Sequence, residues 1–145
     1  MDYSLMTLFY GMKFRKLLEK LLKPIEDEYG LNKVDLQILF YLYSAKGRNT
    51  SKDIMELKMF TRGHISQSLG RLQQKGYVVI RQDTQDRRCT HNDLTQEVET
   101  LVEKISIVFH QVGKILMEGV TEKEQEYLGE IAGKVNKNID RAISS

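Results

Sequence analysis

Apolar residues recur every three or four positions over residues 3–28, where Leu5, Leu8, Phe9, Met12, Leu18, Leu21, Leu22 and Ile25 make one broad face of a long amphipathic helix. Pro24 is expected to kink or loosen its end, and Tyr29-Gly30 reads as a stop. Residues 33–45 repeat the pattern with Val34, Ile38, Leu39 and Leu42 inward. Thr50-Ser51-Lys52-Asp53 is a helix start, Thr50 capping and Asp53 three residues on, with Ile54, Met55 and Leu57 burying the short helix that follows. Thr61 is the next N-cap. It opens a fourth helix with Ile65, Leu69 and Leu72 inward, which ends at Lys75-Gly76. Two short helices about three residues apart predict a helix-turn-helix.

After Gly76 the period changes. Tyr77-Val78-Val79-Ile80-Arg81 is β-rich, Asp83 to Arg88 is turn-like, and Cys89 to Asp93 can return as a second strand. A hairpin directly behind such a helix is a wing. Residues 95–118 then predict a long helix carrying three seven-residue rows: Val98, Ile105, Val112; Leu101, Val108, Ile115; and Val102, Phe109, Leu116. About 24 residues span roughly 36 Å, which is long for one small domain to cover. The rows therefore predict a seam for another helix. Thr121-Glu122-Lys123-Glu124 is a capping box opening a last helix, with Leu128, Ile131, Val135 and Ile139 inward. Gly11, Gly113, Gly129 and Gly133 fall inside helices, through close helix approach or tolerance at exposed sites.

Length and composition narrow the function. The chain has 145 residues, 41% of them hydrophobic, enough for one domain with a core. The formal net charge is only +2, but it is unevenly placed. Residues 58–88 carry Lys58, Arg62, Arg71, Lys75, Arg81, Arg87 and Arg88 against Asp83 and Asp86 alone, so the remainder is net acidic. A basic island in an acidic chain suits one face that meets phosphates. The single cysteine, Cys89, rules out an intramolecular disulfide framework. The absence of an apolar run of about 18 residues argues against a membrane span. Asp2 and the lack of an apolar leader argue for the cytoplasm.

On the fourth helix Arg62, Gly63, His64, Ser66 and Gln67 lie near the N-terminal end, away from the Ile65-Leu69-Leu72 face. In a docked helix-turn-helix those side chains reach base edges of double-stranded DNA. Arg62 can pair bidentately with guanine and Gln67 with adenine. Arg87 and Arg88 at the wing tip suit a narrow minor groove. Thr61, Arg71, Lys75 and Arg81 are expected at phosphates. The bland alternative for each is a solvated charged surface. Cys89, His91 and Asp93 share a strand face, three ligand types without a fourth, so no metal or other cofactor is expected. Arg88 beside Cys89 would favour a thiolate, which leaves a redox role open against that of a plain surface cysteine. His110 reads as structural. No phosphate-binding glycine loop, paired-histidine motif or nucleophile–base set is present, so an enzyme is not expected.

The run Thr61-Arg62-Gly63-His64-Ile65-Ser66-Gln67-Ser68-Leu69-Gly70-Arg71-Leu72-Gln73-Gln74-Lys75-Gly76-Tyr77-Val78 resembles the recognition helix and "R-L-x-x-K-G-hydrophobic-V" exit of the MarR family. Asp86-Arg87-Arg88 followed by Leu94-Thr95 resembles that family's wing signature, and the order of elements matches over nearly the whole chain. Val98 stands where the family usually has Gly, which predicts a different start to the long helix. The resemblance implies a mainly α, winged helix-turn-helix fold with a small β-hairpin wing, in one domain over residues 1–145. Residues 31–94 would form the DNA-binding lobe, and 1–30 with 95–145 the dimerisation helices. It further implies a homodimeric repressor on a pseudo-palindromic operator, with Arg88 in the minor groove braced by Asp86. A small lipophilic or aromatic effector would bind between the lobes, near Phe9, Tyr10, Phe14 and Tyr41, although aromatics so placed are more often simply core. The rival function is a winged-helix protein–protein module without base readout.

Overall fold

Short polar side chains begin most of the helices. Asn32 and Asp35 form a reciprocal capping box, and so do Thr50 and Asp53. The Thr61 hydroxyl accepts from His64 N–H, and Thr121 pairs with Glu124 in the same manner. The structure, a computed structural model, describes the backbone of residues 3–144 and the side chains of residues 11–144. Its elements are α1 (Tyr3–Tyr29), α2 (Lys33–Ser44), α3 (Ser51–Glu56), α4 (Arg62–Gln74), β1 (Val78–Gln82), β2 (Thr90–Leu94), a 3-10 turn (Gln96–Val98), α5 (Glu99–Met117) and α6 (Glu122–Ser144).

Helix α4 ends as its Lys75-Gly76 signal predicts. Gly76 takes φ +79°, Tyr77 N–H reaches back to the Leu72 carbonyl at 2.9 Å, and Gly76 N–H to the Gln73 carbonyl at 3.0 Å. This Schellman closure needs a left-handed residue at Gly76. The chain then enters the antiparallel hairpin, with Val78 opposite Leu94 and Gln82 opposite Thr90. Both strands start one residue later than the pattern predicts, because Tyr77 is used in the helix exit. Thr95 seals the hairpin to that exit: its hydroxyl donates to the Gly76 carbonyl at 2.6 Å.

The core sits where α1, α2, α4 and α5 meet. Leu22, Leu36, Ile38, Leu39, Ile54, Leu72, Leu101 and Ile105 are fully buried. Phe40 of α2 stacks on Phe109 of α5 with ring centroids 4.4 Å apart. Lys104 joins α5 to α1 through Glu28 at 2.9 Å and lies over the Tyr29 ring. Helix α1 runs on through Pro24 to Tyr29, so the proline does not end it. Met12, expected inward, is exposed. The long helix begins with the 3-10 turn, Val98 being buried at its end.

The seven-residue rows divide. Val98, Ile105, Val112, Leu101, Val108 and Val102 are buried within the chain, largely beneath α1 and α2, whereas Ile115 and Leu116 are 51% and 42% exposed. The expectation that this seam needs another chain along its length is therefore corrected: only its C-terminal end is open. Helix α6 is the opposite case. Leu128, Ile131, Val135 and Ile139, expected inward, are 45–56% exposed, and none of its residues is buried. Among the described residues nothing buries them. Side-chain carbons placed at Gly129 or Gly133 would meet nothing within 4 Å, so neither glycine serves a close approach inside the chain. Among the described residues no helix is long and apolar enough to cross a membrane.

Candidate nucleic-acid interface

Burial of Ile65, Ser68, Leu69 and Leu72 turns the opposite side of α4 outward, and Arg62, Gly63, His64, Ser66 and Gln67 are all exposed. The turn between α3 and α4 takes five residues, 57–61, rather than about three, with Lys58 at φ +58°. Between α3, α4 and the wing lies an open cleft of about 650 Å³, lined by Lys52, Arg62, Ser66 and Gln73 on one side and by Ile80 and Thr90 on the other. The exposed helix face and the wing therefore border one concavity.

The cations of the basic island fall into two groups. Arg71 forks onto Asp35, Nε at 3.2 Å from Oδ2 and Nη2 at 2.9 Å from Oδ1. Asp35 is completely buried and also accepts from Ser68 Oγ and Asn32 N–H. The pair raises the guanidinium pKa, the hydrogen bond to Asp35 being the main cause. Arg81 is bound at 2.8 Å to Asp93, which raises its pKa in the same way. Lys75 donates to the Tyr29 carbonyl at 3.2 Å. Three residues expected at phosphates, Arg71, Arg81 and Lys75, thus also donate to acceptors within the chain, Arg71 to a buried carboxylate while its own side chain stays 39% exposed. Thr61 spends its acceptor oxygen on the α4 cap.

Arg62, Arg87 and Arg88 differ: among the described residues none of their guanidinium groups has a counterion. The wing turn that carries two of them is rigidly tied. Asp83 N–H donates to the Cys89 carbonyl, Cys89 N–H to the Asp86 carbonyl, and Gln82 Nε2 to the Arg87 carbonyl. Asp86 Oδ1 accepts from the backbone N–H of Arg88 at 3.0 Å. The expected brace therefore exists through the backbone and not through the guanidinium. Residue Asp83 accepts from Gln85 and Asp86 N–H and meets His91; the His91 hydrogen bond first, then those two amides, lower its pKa to about 2.

Against known proteins, residues 31–97 match the winged helix DNA-binding domain family. The chain is similar in structure to S. aureus MepR in complex with DNA, at 22% identity over 95% of this chain and 98% of that one, with a TM-score of 0.74. S. aureus MepR in its DNA-binding conformation superposes with a TM-score of 0.81, at 21% identity over 96% and 99%. A MarR protein from Peptoclostridium difficile superposes with a TM-score of 0.78, at 16% identity over 99% and 92%. The chain has the winged helix fold of these MarR-type structures.

Within this MarR-type frame the other sequence-derived candidates separate. Phe14 is partly exposed and borders a cavity of about 370 Å³ with Arg15, Lys33, Phe60 and His64, between α1, α2 and the start of α4. Tyr41 does not line this cavity; its hydroxyl donates to the Arg48 carbonyl at 2.8 Å. Phe9 and Tyr10 lie outside the residues whose side chains are described. His91 and Asp93 are engaged with Asn49, and among the described residues no group of three His, Cys, Asp or Glu side chains is placed to hold a metal. Sequence reasoning missed Lys52, Asn49 and Asp35. Asp35 carried a legible signal, three residues after Asn32; Lys52 and Asn49 acquire meaning only when the wing folds against the start of α3.

Proposed function

We propose that this chain is a homodimeric transcriptional repressor that reads a pseudo-palindromic sequence in double-stranded DNA. Arg62, Gly63, His64, Ser66 and Gln67 would face base edges in the major groove, and Arg87 and Arg88 the flanking minor groove. The observation that carries this reading is the pairing state of the arginines. A guanidinium held out of the protein without a counterion is ready for bases or phosphates, and Arg62, on the cleft wall, and Arg87 and Arg88, in the wing turn, are of that kind. Lys52 joins them on the cleft wall.

The apolar stripe of α6, with Ile115 and Leu116, supports assembly with a second copy, since exposed apolar rows of this length call for cover. A two-fold dimer would set the two recognition helices about 34–36 Å apart, one turn of DNA. The cavity beside Phe14 supports a small aromatic or lipophilic effector, its Arg15 suiting an acidic one, while Lys33 there is paired with Glu19 at 3.0 Å. Selection of bound duplexes from random DNA, at two salt concentrations, tests the proposal. Enrichment of a pseudo-palindrome with half-sites one turn apart is expected. Uniform recovery of all sequences at both salts would overturn base readout.

A further inference from the structure

The base of the wing holds a run of polar side chains that the DNA-facing residues leave unexplained. β2 pairs with the segment before α3: Thr50 bridges His91, and Asn92, itself buried, donates from its backbone and its side chain to the Asn49 carbonyl. Across this joint His91 Nδ1 lies 2.6 Å from Asn49 Oδ1, and Nε2 lies 2.7 Å from Asp83 Oδ1. The Asn49 amide has one workable orientation, because its Nδ2 donates at 2.9 Å to Asp93 Oδ1, and a carboxylate only accepts. Both ring nitrogens therefore face acceptors, so both must carry hydrogen.

We propose that the proton on His91 latches the wing to the helix-turn-helix, making Asn49, His91 and Asp83 positioning residues for the arginine tip. The part of this that concerns DNA rests on the reading given above. A neutral ring has one donor. If Nδ1 loses its hydrogen, two lone pairs meet at Asn49; if Nε2 loses it, a lone pair meets the Asp83 carboxylate. Either way one link opens. Asp83 transmits the change, because its other oxygen accepts from Gln85 and Asp86 N–H in the turn that presents Arg87 and Arg88. Asp83 from the turn meets the ring; beyond Asn49 stands Asp93 of β2 with Arg81 of β1, Tyr41 of α2 donates to the carbonyl of Arg48 next to Asn49, and Asp53 caps Thr50, which bridges His91. Arg81 is committed to Asp93, and Asp53 to Thr50 N–H, which leaves Asp83 as the carboxylate that meets the ring. Histidine is the side chain suited to change charge between pH 5 and 8.

The test follows the free full-length protein by nitrogen-15 NMR from pH 5.5 to 8.5, alongside anisotropy with a labelled duplex recovered by the selection above. The Gln85 and Asp86 amides should move with the same midpoint as the His91 ring. Affinity for the duplex should fall about tenfold as the ring loses its proton, the effect of one charge-assisted hydrogen bond. His91→Gln should remove that pH dependence, whereas His64→Gln, on the recognition helix, should retain the step. Asp83→Asn serves as the second variant if His91→Gln does not fold, and should uncouple the turn amides from the ring. A His91 ring that titrates without moving the turn amides overturns the latch, as does a wild-type pH profile in His91→Gln. Failure of any duplex to bind strikes the DNA reading, while the NMR titration still decides whether the latch exists.

Discussion

The winged lobe and helix α6 carry the same kind of sequence pattern and end in opposite surroundings. In the lobe, apolar positions three and four apart in α2 and α4 close on one another, and Leu36, Leu39 and Leu72 lose all contact with solvent. In α6 the same spacing leaves Leu128, Ile131, Val135 and Ile139 about half exposed. Periodicity reports that a face needs cover; it does not report where the cover comes from. The lobe finds its cover in its own neighbours, whereas α6 finds none among the described residues.

The sharpest way to break this contrast is to cut into both faces. Leu72→Ala should cost about 2–5 kcal/mol in denaturant unfolding, since a fully buried leucine leaves a cavity. Val112→Glu should unfold the chain, because it places a carboxylate in the core. Leu116→Glu with Ile131→Glu should leave a folded protein by circular dichroism and turn a dimer into a monomer in sedimentation velocity at micromolar concentration. If that double variant unfolds while already monomeric, the stripe is covered within the chain and the contrast fails.

Next in size is the division among the arginines. Arg71→Ala should cost about 2–3 kcal/mol of stability, the figure for breaking a buried pair, reduced because the arginine is itself partly exposed. It leaves Asp35 buried without its main partner. Arg62→Ala should leave the melting temperature nearly unchanged and reduce discrimination by about 1–3 kcal/mol at one base per half-site. Calorimetry and competition binding on the same two proteins check both halves. Equal effects in both assays would erase the distinction between structural and free cations.

That distinction also marks how far the sequence could be read. The helix starts at Thr50, Thr61 and Thr121, the Gly76 exit and the hairpin were all legible, because each rests on interactions within a few residues. The outward face of α4 was legible from the apolar positions opposite it. The fate of Arg71, Arg81 and Lys75 was not, because Asp35, Asp93 and the Tyr29 carbonyl approach them only through the tertiary fold, Asp35 from 36 residues away. Charge counting treats all seven cations of the island alike. The fold neutralises two of them with carboxylates and leaves others bare.

Within the wing, acid should weaken a smaller link. Asp83 has a folded-state pKa of about 2, below its ordinary value, owing first to His91 and then to the Asp86 and Gln85 amides. A depressed carboxylate stabilises fully above the unfolded value, about pH 4, and loses that contribution as pH falls towards the folded value. Wild type should therefore melt above Asp83→Asn at pH 5, and the two should converge towards pH 2. A constant gap across that window would mean that the charge on Asp83 does not matter to folding.

The smallest effect belongs to Asp86, where the sign is the result. Its Oδ1 accepts from Arg88 N–H, so it shapes the turn through the backbone while placing a negative charge beside the arginine tip. These two roles oppose each other at DNA. Arg88→Ala should reduce affinity more than any change at Asp86, most of all on duplexes with A·T-rich flanks, whose minor grooves are narrow and negative. Asp86→Ala removes both the acceptor and the charge, and should give a modest loss, because a loosened turn presents Arg88 less well. Asp86→Asn keeps an acceptor oxygen at the same place and removes only the charge, so its affinity should equal or exceed that of wild type at low salt. Fluorescence anisotropy at fixed salt orders the three variants. Were Asp86→Ala to bind more tightly than wild type, the carboxylate would be only a repulsive charge, and the wing tip would owe its shape to Asp83 and the Gln82–Arg87 hydrogen bond instead.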